Sequence, residues 1–148
     1  MSAKKSLDVI ELFGKELGEK VTEFNLPPPS FEVMKCEIME FDAKEKFIIV
    51  KMPILESWLN PYGSMQGGLI IGAIDNAVGP LSLLIAPKNV TRNIESKLIK
   101  PIIMALEYIY VTASLFEAKK KRLIFDIVVK DNYDNIYAKA KITNWIIE

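Results

Sequence analysis

From Gly67 to Pro87 a single formal charge, Asp75, interrupts an otherwise apolar run. The segment from about 66 to 86 is long enough for a membrane span, which needs about 20 apolar residues. Three features weigh against that reading. Asp75 and Asn76 fall at its centre, where an acid is most costly. Gly79-Pro80 follows, and the surrounding chain alternates in the manner of β-strands. The remaining reading is a core helix, apolar nearly all round, which the rest of the chain has to cover on most sides. That requirement limits the possible folds more than any other feature.

The covering elements are legible as strands. Residues 106 to 117 alternate Tyr108, Tyr110, Thr112 and Ser114 against Ile109, Val111, Ala113 and Leu115. Residues 122 to 130 put Leu123, Phe125, Ile127 and Val129 on one face. Residues 135 to 147 set Ile136, Ala138, Ala140 and Ile142 against Lys139 and Lys141. The short polar stretches EAKKK and DNYDN suit antiparallel hairpins. Two earlier strands, 33 to 41 and 45 to 52, meet at a turn around Asp42-Ala43-Lys44, and a further strand lies near 90 to 100. Ahead of them, 6 to 24 reads as an amphipathic helix with Ser6 as N-cap and Ile10, Phe13, Leu17, Val21 and Phe24 on one face. Pro27-Pro28-Pro29 ends it and stiffens the connection. The fold class is therefore α+β: one antiparallel sheet wrapped around a long central helix, with an N-terminal helix. Its organisation is a helix and proline-rich connection over 1–29, then a single domain over 30–148.

Composition narrows the chemistry. There is no histidine, which removes Ser-His-Asp and Cys-His nucleophilic sites and histidine metal ligands. One cysteine, Cys36, excludes an internal disulfide and fits a reducing compartment. It is expected to be a small core hydrophobe. Formal net charge is +0, so no nucleic-acid footprint shows. The first twenty residues hold lysines but no continuous apolar core, and a cytoplasmic location is expected.

On the long helix, Gly68, Gly72, Asp75, Gly79 and Ser82 fall on one stripe of small and polar residues. Glycine costs a helix about 1 kcal/mol relative to alanine, so something packs close to that stripe, either protein or ligand. A desolvated Asp75 needs partners or a proton. It is either a reactive acid, base or nucleophile, or a structural acid paired with a lysine or arginine, and the residues alone leave both open. A helix starting at Gly67-Gly68 would present amides without intrahelical acceptors, which stabilise a developing oxyanion.

Asn60, then Gln66-Gly67-Gly68 six residues on, then Asp75 eight residues after Gly67, resembles the pattern of the hotdog-fold acyl-CoA thioesterases, in the branch that includes the phenylacetate-pathway thioesterases. The stretch Thr91 to Pro101, TRNIESKLIKP, is similar to that family's strand after the helix. The resemblance implies hydrolysis of an acyl-CoA thioester, with Asp75 as the catalytic carboxylate and the Gly67 amide polarising the carbonyl. Asn60 would position water or acid, and Thr91 and Gly68 would lie against the substrate, with Thr91 orienting the nucleophile. It implies a homodimer or homotetramer with sites at the subunit interface, CoA as part of the substrate, and no metal or other cofactor. Gln66 stands where the family usually carries histidine. It can donate a hydrogen bond but cannot carry a proton, so the alternative is a domain that binds acyl-CoA or fatty acid without turnover. Lys119-Lys120-Lys121-Arg122 reads either as a solvated turn or as a contact for CoA phosphates, with Arg92, Lys97 and Lys100 comparable. Trp58 and Tyr62 are candidates for an acyl pocket.

Overall fold

A computed structural model describes residues 5–147. Its centre is a helix, α3, over Gly67–Ile85 (α1 and α2, given below, precede it). Ile70, Ala73, Ile74, Ala77, Val78 and Leu81 recur at helical spacing on α3 and are buried against the sheet. Each large apolar side chain so buried contributes roughly 1.5–3 kcal/mol. The length and composition of α3 would suffice to cross a membrane, but this face is the core of a sheet-wrapped domain.

The sheet has six strands: β1 Glu37–Asp42, β2 Phe47–Pro53, β3 Asn89–Leu98, β4 Tyr108–Lys119, β5 Arg122–Lys130 and β6 Ile136–Ile146. Their order is β1-β2-β4-β5-β6-β3, and every pairing is antiparallel. The inward residues are those the alternation predicts: Ile109, Val111 and Ala113 on β4, Leu123, Phe125, Ile127 and Val129 on β5, Ala138 and Ile142 on β6. α3 packs on β2, β4, β5 and β3. The expected architecture, one antiparallel sheet wrapped around a long helix, is present. The chain leaves α3 and lands β3 at the far edge of the sheet, beside β6.

The N-terminal region differs from the expectation in detail. The α-helix there is α1, Val9–Leu17, and its cap is Asp8 rather than Ser6, with the Asp8 carboxylate accepting the Glu11 N–H at 2.9 Å. Gly18, at φ 60°, ends α1, and Gly18–Glu23 continue as a 3-10 helix. Glycine takes that left-handed conformation without steric cost. Phe13, fully buried, anchors α1 to the common core. The proline run does more than stiffen a connection. Pro29 opens a short helix, α2, over Pro29–Val33, because its fixed φ suits the first helical position. Strand β1 consequently starts at Glu37 and not at 33. Asn76 pins α2 to α3: its Oδ1 accepts from Ser30 Oγ at 3.0 Å, and its Nδ2 donates to Ser30 O at 3.2 Å and to Met34 Sδ at 3.0 Å.

Candidate active site

The loop before α3 is organised by Asn60. Its Oδ1 accepts the N–H groups of Tyr62 (2.9 Å) and Ser64 (3.1 Å), and its Nδ2 donates to Ser64 Oγ at 2.9 Å. The backbone closes the same turn, Asn60 N–H to Ser64 O at 2.7 Å, with Gly63 at φ 83°. Met65 N–H then reaches Ile102 O at 2.7 Å and Gln66 N–H reaches Trp58 O at 2.8 Å. These bonds fix where α3 begins. Gln66 is its N-cap, with Oε1 accepting the Leu69 N–H at 3.0 Å. The cap leaves the two preceding amides, those of Gly67 and Gly68, at the open end of the helix, as helix geometry requires of its first turn. A Cβ at Gly68 would lie 2.9 Å from Gln66 Oε1, and one at Gly67 would lie 3.3 Å from Leu98 Cδ1. Glycine at both keeps the cap intact and lets Leu98 of β3 lie across the helix start.

Asp75 projects from the middle of α3 on the side away from the deep core and is half-buried. Thr91 Oγ1 donates to its Oδ1 at 2.9 Å. The pairing of β3 with β6 sets Thr91 opposite Asn144, which is buried, so Thr91 faces the helix. Among the described residues no lysine or arginine forms an ion pair with Asp75. Its second carboxylate oxygen accepts no hydrogen bond among them.

Thr91 and Asp75 are therefore brought together, and Gln66 with the start of α3. Other members of the set stay apart. Gly67 and Asp75 are eight residues apart on one helix, about 12 Å along its axis at 1.5 Å per residue. Asn60 spends its amide on the Ser64 turn and makes no hydrogen bond to Gln66. Gly68 and Gly79 are exposed, Gly72 and Asp75 half-buried, and Ser82 buried. Beyond Gly68, no described residue requires the glycines of the stripe to be small: a Cβ at Gly79 would meet no atom within 4 Å, and one at Gly72 only Met34 Sδ at 3.9 Å. Of the two aromatic candidates, Trp58 is buried in the core and Tyr62 stands in solvent. Cys36 is buried, which pushes its thiol up to about 12. Three residues that matter here carry no readable signal in the sequence. Ser64 and Asn76 act through partners fixed by loop closure and helix docking, and Leu98 through where β3 lands.

No family model and no curated protein matches the chain. Solved structures do. The E. coli PaaI protein, from the phenylacetic acid degradation operon, superposes with a TM-score of 0.78 at 16% identity, over 92% of this chain and 96% of that one. The chain has the hotdog fold. A thioesterase from Haemophilus influenzae gives a TM-score of 0.76 at 16% identity, over 100% of this chain and 96% of that one. A hypothetical thioesterase protein from Streptococcus pneumoniae, solved with coenzyme A, gives 0.70 at 17% identity, over 76% of this chain and 86% of that one. On this hotdog frame Asp75 lies at mid-helix and Gln66-Gly67-Gly68 at the helix start.

Proposed function

We propose that this hotdog protein is an acyl-CoA thioesterase in which Asp75 is the catalytic carboxylate. The observation that carries the reading is the state of Asp75: half-buried, held by one hydroxyl from Thr91 and paired with no cation among the described residues. A carboxylate with one oxygen anchored and the other open is placed to take a proton from water or to attack a thioester carbon. The Gly67 amide supplies the oxyanion donor, backed by the positive end of the α3 dipole. The similar structures named as thioesterases, one of them holding coenzyme A, support the substrate class.

The roughly 12 Å between Gly67 and Asp75 along one helix supports a particular assembly for this chemistry. A reacting carbonyl has to sit about 3 Å from both the nucleophile and the oxyanion donor. The two residues of one chain cannot meet that condition, so we infer a homodimer in which the Gly67 end of one α3 faces Asp75 of the other. The open small-residue stripe on α3 suits such an approach. So does β3, a ten-residue strand at the sheet edge, which a second copy could cover. A homotetramer is two such dimers. The single buried Cys36 suits a reducing cytoplasm.

Gln66 favours one second reading, a domain that holds acyl-CoA without turnover. Its Oε1 is committed to the helix cap, and an amide carries no proton. Free-thiol release from a panel of acyl-CoAs separates the two. The enzyme reading requires release that Asp75→Ala abolishes, and equal background rates for both proteins with every acyl chain would sink it. Saturable acyl-CoA binding without release, with activity appearing in Gln66→His, would establish the binder.

A further inference from the structure

Strand β3 meets both halves of the proposed site. Near its start Thr91 holds Asp75. Its last residue, Leu98, reaches the start of α3. Leu98 pairs with Ala138 of β6, which is fully buried, so the Leu98 side chain shares that inward face. A Cβ on Gly67, two bonds from the amide nitrogen, would lie 3.3 Å from Leu98 Cδ1, so a leucine methyl stands beside that amide. The backbone fixes this placement. Ile99 N–H and Lys100 N–H both donate to Tyr137 O, at 2.8 and 3.2 Å, and Met65 N–H donates to Ile102 O at 2.7 Å. Yet Leu98 is 46% exposed, whereas the inward residues Ile109, Val111, Phe125 and Ile142 are sealed in the core. The chain beyond it adds Ile103 and Met104, both exposed, and Ser64, just ahead of α3, bridges to Ile103. The neighbouring cations turn elsewhere. Lys97 belongs to the opposite face of the strand, and Lys100 lies over the Tyr137 ring at 5.8 Å from its centroid. Open apolar carbon therefore borders the helix start.

We propose that Leu98 is a specificity-determining residue that selects acyl groups with an unbranched α-carbon. The inference rests on the thioesterase reading. A thioester oxygen accepting the Gly67 N–H sits about 3 Å from that nitrogen, and the α-carbon of the acyl group lies two bonds beyond the oxygen. That carbon is within reach of the Leu98 methyl groups. An α-methylene packs against the leucine, whereas an added α-methyl competes for the space the leucine fills. The same surface is open and apolar, so it suits a hydrocarbon chain and offers nothing to the amides of a pantetheine arm. This assigns Leu98 to the acyl side of the thioester. One strand then serves both halves of the chemistry, with Thr91 anchoring the acid and Leu98 sorting what the oxyanion donor receives.

The test compares three substrates of the whole protein: hexanoyl-CoA, α-methylhexanoyl-CoA, and the isomer carrying its methyl at the far end of the chain. In the wild type kcat/KM should favour hexanoyl-CoA over the α-methyl compound by about tenfold or more, as one added group commands in an apolar pocket. The far-methyl isomer should behave like hexanoyl-CoA. Leu98→Ala should shrink the α-methyl discrimination to about twofold and leave the far-methyl ratio unchanged. Leu98→Met, of similar volume, should keep the wild-type preference. If Leu98→Ala does not fold, Leu98→Val decides, with a smaller shift in the same direction. A wild type that does not discriminate, a ratio unmoved by the substitution, or an equal loss on all three substrates overturns the proposal. So does a Leu98→Ala protein that falls to a smaller assembly by light scattering, because Leu98 would then be an interface side chain. Failure of the thioesterase reading appears separately, as wild-type thiol release that Asp75→Ala does not lower. The same three compounds are then compared by calorimetry, where no binding, or an order of affinity that Leu98→Ala leaves unchanged, overturns the selection by Leu98.

Discussion

Asp75 and Asp131 are both removed from bulk water, and they are treated in opposite ways. Asp131 sits at the β5–β6 turn and is 6% exposed. Its Oδ1 accepts the N–H groups of Tyr133 (2.8 Å) and Asn135 (3.0 Å), and its Oδ2 accepts Asn135 Nδ2 (2.9 Å) and the Tyr137 hydroxyl (3.1 Å). Burial pushes the Asp131 carboxyl up, but these four bonds outweigh it and hold the group below its ordinary value of 3.8. Burial, and then the Asp131 carboxylate itself, push the Tyr137 hydroxyl above its usual range. Among the described residues, Asp75 has one hydroxyl donor and an open oxygen. A saturated carboxylate gains little by taking a proton or attacking carbon, because either step breaks bonds already made. The difference teaches that incomplete satisfaction, more than burial, marks the acid available for chemistry.

The sharpest way to break this contrast is to neutralise each acid. In Asp75→Asn, thiol release from a responsive acyl-CoA should fall about 10²- to 10⁴-fold, while the melting temperature stays within about 2 °C. A variant that instead unfolds would make Asp75 a structural acid like Asp131. Thr91→Val removes the one donor without changing side-chain shape, and kcat should drop roughly tenfold. Thr91→Ser should restore most of it, and full activity in Thr91→Val would show that Asp75 needs no anchor.

The converse substitution, Asp131→Asn, should lower the melting temperature at neutral pH and leave thiol release per folded molecule unchanged. It also has a pH signature. Because folding lowers the Asp131 pKa, its stabilisation is fully present above the unfolded value and is lost as pH falls through 3.8 toward the folded one. Melting curves from pH 6 down to about pH 3 should therefore converge for wild type and Asp131→Asn at the acid end. Parallel curves would mean that the turn owes nothing to the charge. The smallest effect is expected at Cys36, whose buried thiol, at about 12, should resist a thiol reagent in the native protein and react only on unfolding.

Much of the fold is legible in the residues because periodicity reports local facts. The alternation of β4, β5 and β6 gives both the strands and their inward faces, and the run from Gly67 gives the central helix. The misreadings are local competitions. Asp8 outcompetes Ser6 as cap because the α-helix starts at Val9, and Pro29 starts a helix where prolines also end one. The site is only partly legible. Spacing places Gln66, Gly67 and Asp75 on one helix and gives the rise between them. It does not reveal that Asn60 is absorbed by its own turn, or that the Gln66 side chain caps Leu69.

By itself, then, the sequence determined a sheet-wrapped helix with one acid at its centre and chemistry without histidine. The tertiary structure decided which donors that acid receives. Thr91 reaches Asp75 only because β3 crosses to the far edge of the sheet and pairs with β6 in one register. Asn76 meets Ser30 only because α2 docks on α3. Side-chain periodicity records which face a residue presents, whereas the partner waiting on that face depends on how distant segments land. Asp131 draws its four donors from its own turn, within six residues, whereas Asp75 depends on that long-range landing and, among the described residues, is left with one oxygen open.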